Sequence, residues 1–249
     1  MKIAIRGGHN YGVTGARGII DELTEDRRYY KSVVNYLEQA GHQVLDVTPD
    51  RTDTSSQDLA YGVSRANAWG AELFISCHLN SGGGHGCEVL YYNGSTKGKD
   101  FATKVANGIA ALGFTNRGAK VDTRGLYELR ITHMPAILIE PLFVDTESDV
   151  NLYNQLGFDR LGKAIAEAVN GKAIVAAPEY PGHSFKTGMK GDEFIGVIQT
   201  RLKEFGLYSG SIDNSFGPKT LAAVEAFQRA HELVVDGKVG PKTWTALFN

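Results

Sequence analysis

Apolar positions in the first 170 residues follow two alternating rhythms. Lys2-Ile3-Ala4-Ile5, Leu73-Phe74-Ile75-Ser76-Cys77 and Ala136-Ile137-Leu138-Ile139 are short runs bordered by Gly or polar residues, the pattern of buried strands. Between them the spacing turns helical: Val33, Val34 and Leu37 fall on one face of a helix expected over 21–39, closed by Gly41. The same reading gives strands over 43–48, 87–92 and 126–129 and helices over 56–69, 100–112 and 156–169, with the last long apolar run reaching 143. Alternation of this kind implies an α/β fold, a mostly parallel sheet flanked by helices.

The pattern breaks at 171–190. Pro178, Pro181, Gly182 and Gly188 fall there without sustained periodicity, and the stretch is read as a linker between domains 1–170 and 191–249. The tail contains an internal echo. Asp213-Asn214-Ser215-Phe216-Gly217-Pro218-Lys219-Thr220 is answered by Asp236-Gly237-Lys238-Val239-Gly240-Pro241-Lys242-Thr243. Proline suits a first helical turn because its missing N–H would have no partner there, so helices are expected to start at Pro218 and Pro241. An earlier helix over 193–205 would offer Ile195, Ile198 and Leu202; the second would bury Leu221, Val224 and Phe227, and the third Trp244 and Leu247. A small three-helix domain is the expectation.

Composition narrows the function classes. The 249 residues carry a formal net charge of -2, which leaves no basic footprint for nucleic acid. No apolar run is long enough to cross a bilayer. Met1-Lys2 leads straight into a strand-like run, so no secretory signal is expected; synthesis in the cytoplasm, action after release and a monomeric state are the expectations. Cys77 and Cys87 are then read as reduced thiols, and Cys77 would point to the face of its strand opposite His78.

Chemistry concentrates at the strand ends. The first run leads into Gly7-Gly8-His9, the second into His78, the third into Glu140. In open α/β sheets working groups gather beyond the carboxyl ends of strands, and two histidines plus a carboxylate are the usual donors of a catalytic zinc site. The third ligand would come from the acidic start of the first helix, where Glu22, Glu25 and Asp26 compete; acidic residues are also ordinary partners of a helix N-terminus. Glu140, ending so apolar a strand, is either paired with Arg117 or Arg130 or placed to move protons. Asn80 would share a side with His78 and could bind substrate. The segments 81–86 and 93–99 lack the Gly-Lys-Ser/Thr ending of a phosphate loop, and His42, His85 and His133 fall away from strand ends.

These residues, with Ser76-Cys77-His78-Leu79-Asn80, Ile139-Glu140-Pro141-Leu142-Phe143-Val144-Asp145, Gly86-Cys87-Glu88-Val89-Leu90-Tyr91-Tyr92 and Asn116-Arg117-Gly118-Ala119-Lys120, resemble the type 3 zinc N-acetylmuramoyl-L-alanine amidases from residue 1 to about 170. The resemblance implies His9, Glu22 and His78 as ligands of one Zn2+ and Glu140 as the residue assisting hydrolysis. Asp26 stands where that family usually has Asn. The tail resembles the three-helix peptidoglycan-binding domain type 1, on Asp213, Phe216-Gly217-Pro218-Lys219-Thr220, Ala226-Phe227-Gln228-Arg229 and the run from Val235 to Trp244.

Together they imply a zinc-dependent hydrolase that cuts the amide between N-acetylmuramic acid and L-alanine, with peptidoglycan as substrate and partner, of the endolysin type. Two other readings are a zinc peptidase acting within the stem peptide and a wall-binding protein without catalysis.

Overall fold

The computed structural model describes residues 1–174 and 178–248. The chain divides into two compact units, Met1–Val175 and Ala176–Asn249.

The first unit is built on a six-stranded sheet: β1 (Lys2–Gly7), β2 (Gln43–Asp46), β3 (Leu73–Cys77), β4 (Cys87–Tyr91), β5 (Asn116–Val121) and β6 (Ala136–Glu140), in spatial order β2-β1-β3-β6-β4-β5. β1 pairs in parallel with β2 and β3, and β3 with β6. β4 runs antiparallel to β6, and β5 parallel to β4. The carboxyl ends of β1, β3 and β6 therefore lie side by side, and the amino end of β4 joins them. The mostly parallel α/β expectation holds.

Alternation along the strands separates two faces. Ile3, Ile5, Leu73, Ile75, Cys77, Val89, Ile137 and Ile139 pack into a large core with α1 (Glu22–Gln39), α3 (Thr96–Ala110) and α6 (Phe158–Asn170). Ala4, Phe74, Leu90 and Leu138 face a smaller core under α2 (Ser55–Trp69) and α4 (Tyr127–Ile131). On that second face Arg6 and Ser76 are also fully buried, polar residues inside strands that otherwise read as apolar. Cys77 and Cys87 are free and buried.

Several boundaries moved, for local reasons. The strand expected over 126–129 is the helix α4: the Asp122 carboxylate accepts the backbone N–H groups of Arg124 and Leu126 at 2.9 and 2.7 Å, and Gly125 at φ 70° turns the chain into a coil. The helix expected over 156–169 is preceded by a separate one, α5 (Glu147–Leu156), with Gly157 at φ 78° between it and α6. β5 gave no signal because it is a half-exposed edge strand led by Asn116, Arg117 and Gly118. The run expected to reach 143 leaves the strand at Glu140.

The second unit contains the three expected helices, α7 (Glu193–Glu204), α8 (Pro218–Ala230) and α9 (Pro241–Phe248), each of the latter two opening on its proline. Ile195, Ile198, Leu202, Val224, Phe227, Trp244 and Leu247 are buried; Leu221 is only half-buried. Part of the stretch read as a linker belongs to this core. Phe185 is buried and exchanges backbone hydrogen bonds with Val239, and Trp244 Nε1 donates to the Pro178 carbonyl at 2.7 Å. Residues 175–177 of that stretch lie outside the described residues.

The sequence echo has a structural cause that its own letters do not state. Gln199 Nε2 donates to Asp213 Oδ1, the Ser215 carbonyl and Thr220 Oγ1; Gln228 Nε2 donates to Asp236 Oδ1, the Lys238 carbonyl and Thr243 Oγ1. Gln199 Oε1 accepts the N–H groups of Asp213 and Asn214, and Gln228 Oε1 that of Gly237. Each loop is thus wrapped around one fully buried amide. Gln199→Ala or Gln228→Ala should lower the stability of this unit by on the order of 1–3 kcal/mol for each buried group left unpaired. Urea unfolding of the full chain with Trp69→Phe as background, followed by Trp244 fluorescence, measures the loss.

Candidate active site

His9 lies two residues past β1, His78 one past β3, and Glu22 opens α1 behind its N-cap Asp21, whose side chain accepts the Thr24 N–H. Glu22 is 3 % exposed. Its Oε1 sits 3.1 Å from His9 Nε2 and 3.2 Å from His78 Nδ1, and it also accepts the Leu79 N–H at 3.0 Å; Oε2 accepts the Ala16 N–H at 2.7 Å. The two imidazoles stand edge to face with centroids 4.9 Å apart.

The backbone of both histidines is held. Arg27 donates to the His9 carbonyl, Tyr29 OH to the His78 carbonyl at 2.9 Å, and the Gly8 N–H to the Cys77 carbonyl. Glycine at position 8 is sterically required, because a Cβ there would overlap the His78 ring.

This arrangement fits a divalent metal. One donor atom from each of His9, Glu22 and His78 lies within 4.8 Å of the others, and the two-nitrogen, one-oxygen set suits zinc. Burial pushes the Glu22 carboxyl up, but hydrogen bonds from His78 and His9 outweigh it and hold Glu22 well below the usual carboxylate range. Burial lowers His78, yet Glu128 and Glu22 outweigh that and push it up to about 10. Glu22 and His78 thus stabilise each other's charged forms.

The rivals for the third ligand are placed elsewhere. Glu25 accepts from Tyr153 OH at 2.8 Å and pairs with Arg28. Asp26, one turn below Glu22, is fully buried, neither oxygen has a hydrogen-bond partner among the described residues, and burial pushes it up to about 8.

Glu140 lines the same cavity as His9, Glu22 and His78, a space of about 340 Å³. Neither Arg117 nor Arg130 is its partner: Arg117 pairs with Glu88 at 2.7 Å, and the cation near Glu140 is Arg124, whose Nη2 is 3.8 Å from Oε1. Asn80 Nδ2 donates to Glu140 Oε2 at 2.9 Å and to Glu88 Oε1 at 3.2 Å, while its Oδ1 accepts the Ser81 N–H. Asn80 therefore lines the cavity with its amide between two carboxylates. Burial first, and then the neighbouring Glu88, push Glu140 up to about 7 against the opposing pull of His78 and Arg124.

Sequence reasoning passed over Glu88 as a site residue because it sought carboxyl strand ends. β4 is antiparallel, so its amino end meets the site and sets Glu88 opposite Glu140. Glu128 was hidden by the strand reading of 126–129, and Arg124, just before it, carried no signal of its own. The glycines at 82 and 83 form no phosphate cradle, since their N–H groups already donate to Asp145 Oδ2 at 2.8 and 3.0 Å.

The family profile described as N-acetylmuramoyl-L-alanine amidase matches residues 3–171. The chain belongs to that amidase family. A profile described as a peptidoglycan binding domain matches residues 191–247. Among relatives, an uncharacterized protein of Clostridium perfringens is 43% identical over 180 residues, covering 70% of this chain and 53% of that protein. The sporulation-specific N-acetylmuramoyl-L-alanine amidase of Bacillus subtilis (strain 168) is 34% identical over 154 residues, 61% of this chain and 59% of that protein. This chain thus spans little more than half the length of these relatives. Among solved structures, the catalytic domain of the CD27L endolysin targeting Clostridia Difficile superposes with a TM-score of 0.64 at 33% identity, covering 70% of this chain and 99% of that one. Within the amidase fold, the sheet edge described above is where this chain gathers its ionisable groups.

Asp26 supplies a test of the site's electrostatics. A buried carboxyl whose folded pKa lies near 8 holds a proton that the unfolded chain releases near pH 4, so stability is lost as pH rises between those values. Asp26→Asn removes that loss. In metal-free protein, the melting temperature of Asp26→Asn should match the parent near pH 4 and exceed it increasingly toward pH 8.

Proposed function

We propose that this amidase-family chain is a zinc-dependent peptidoglycan hydrolase that cleaves the amide joining N-acetylmuramic acid to L-alanine. The observation that carries the reading is the convergence of Glu140 with His9, Glu22 and His78 in one cavity. His9, Glu22 and His78 would hold the zinc, which would supply Lewis acidity toward the scissile carbonyl and toward the attacking water.

The remaining chemistry belongs to the protein. Glu140 Oε2 is engaged by Asn80, and Oε1, which has Arg124 at 3.8 Å, is the oxygen assigned to take a proton and return it to the leaving amine. Burial and the neighbouring Glu88 raise this carboxyl above its ordinary range, which suits it to both steps. Asn80 keeps the carboxylate aimed at the cavity, and we assign it a further contact with substrate on the same ground. The second unit is read as the wall-binding part, raising local substrate concentration by tethering the enzyme to the polymer. Release from the cell that makes it, as in endolysins, is part of the same proposal.

The deciding experiment is mass spectrometry of digested peptidoglycan. New muramic lactyl carboxylates with free L-alanine amines are expected, lost on chelation and restored by zinc; new termini within the stem peptide would replace the reading with a peptidase. Glu140→Gln should retain bound zinc and lose about 100- to 10,000-fold in rate, read by single-turnover kinetics with metal analysis.

The pH profile follows from the same carboxylate. Glu140 must be ionised to accept a proton, so the rate falls on the acid side as that carboxylate is protonated. Glu88→Gln removes a neighbouring charge that raises Glu140, so the acid limb should move to lower pH. An unchanged limb would separate Glu88 from Glu140 in the mechanism.

A further inference from the structure

The imidazole of His78 has a carboxylate on each side. Nδ1 faces Glu22 Oε1 at 3.2 Å, and Nε2 faces Glu128 Oε2 at 3.9 Å. Glu128 comes from α4, which crosses the sheet face opposite α1, and it is 2 % exposed. Its position is fixed twice: Ser76 Oγ donates to Oε2 at 2.9 Å, and Arg6 Nη1 lies 3.0 Å from Oε1. A buried carboxylate is costly to desolvate and persists only when paired. Arg6 supplies that pair.

Arg6 also reaches the other histidine's loop. Its Nε and Nη2 donate to the Gly7 and Gly8 carbonyls at 2.9 and 3.0 Å, just before His9. Its Nη2 pairs with Asp58 at 2.5 Å, and Asp58 Oδ1 accepts Asn10 Nδ2 at 2.6 Å, just after His9. One buried cluster therefore sets a carboxylate 3.9 Å from the ring of one candidate ligand and brackets the backbone of the other.

We infer that Glu128 is a positioning residue that fixes the His78 ring as the Nε2–H tautomer, so that Nδ1 is the nitrogen presented to the metal. The inference rests on the reading of His9, Glu22 and His78 as the metal site. A carboxylate behind a ligating imidazole sets its tautomer and orientation and raises its basicity, and removing such a partner typically lowers metal affinity about 10- to 100-fold. Here the carboxylate is held by Arg6 and Ser76 rather than by solvent, so it is aligned before any metal arrives.

The test uses the full chain loaded with zinc. Long-range proton–nitrogen correlation NMR of the ring should show His78 protonated at Nε2; protonation at Nδ1 would overturn the inference without any substitution being made. In parallel, competition with a chromophoric chelator should give a zinc affinity at least 10-fold weaker for Glu128→Gln than for the parent. A merely structural Glu128 would lower the melting temperature and leave both zinc affinity and tautomer unchanged, and that result also overturns it. Ser76→Ala, which leaves the Arg6–Glu128 pair intact, should weaken zinc binding in the same direction by a smaller factor; equal affinity would count against the proposal. Failure of the parent chain to bind zinc at all would instead remove the underlying site.

Discussion

A carboxylate buried between two imidazoles is the constraint around which the first unit is arranged. Glu22 arrives from a helix on one face of the sheet, while the histidines follow two neighbouring parallel strands. Bringing one anion and two bases into this space is unfavourable unless each is tied down. The fold supplies those ties through backbone donors to Glu22, side-chain donors to both histidine carbonyls and a glycine where no side chain fits. A site held this way is organised before its ligand binds, which is the condition for precise metal and proton chemistry.

The two faces of the sheet contribute differently. The face under α1, α3 and α6 is apolar and supplies the large core. The face under α2 and α4 carries Arg6 and Ser76 among apolar neighbours, and these connect through Glu128 and Asp58 to both histidine loops. Polar groups in a low-dielectric interior are expensive singly but rigid when mutually paired. Charge balance also shapes the end of the cavity that Glu88 and Glu140 line. Glu88 and Glu140 share Asn80, each with an arginine of its own, and the less compensated of the two is the one left near neutrality.

In the second unit the same economy appears in a neutral form. Two loops of similar sequence each close around one glutamine, so the echo in the chain corresponds to two equivalent hydrogen-bonded cages on a common core. Phe185 and Trp244 tie the preceding segment into that core, which explains why a stretch rich in Pro and Gly need not be a free connector.

Much of this was legible along the chain. Apolar runs located β1, β3 and β6, and the residues ending them located His9, His78 and Glu140, because strand periodicity and strand termini are local properties. The proline-led helices of the tail were readable for the same reason. What local signals could not reach depended on partners distant in sequence. The direction of β4 decided that Glu88 would face Glu140; the turn made by Asp122 decided that 127–131 would coil and carry Glu128 inward; the closure of α1 over the sheet edge put Glu22, rather than Glu25 or Asp26, beside the two histidines. Chain order set which groups were available, whereas only packing in three dimensions determined which charges are buried together and therefore which of them can hold a cation or move a proton.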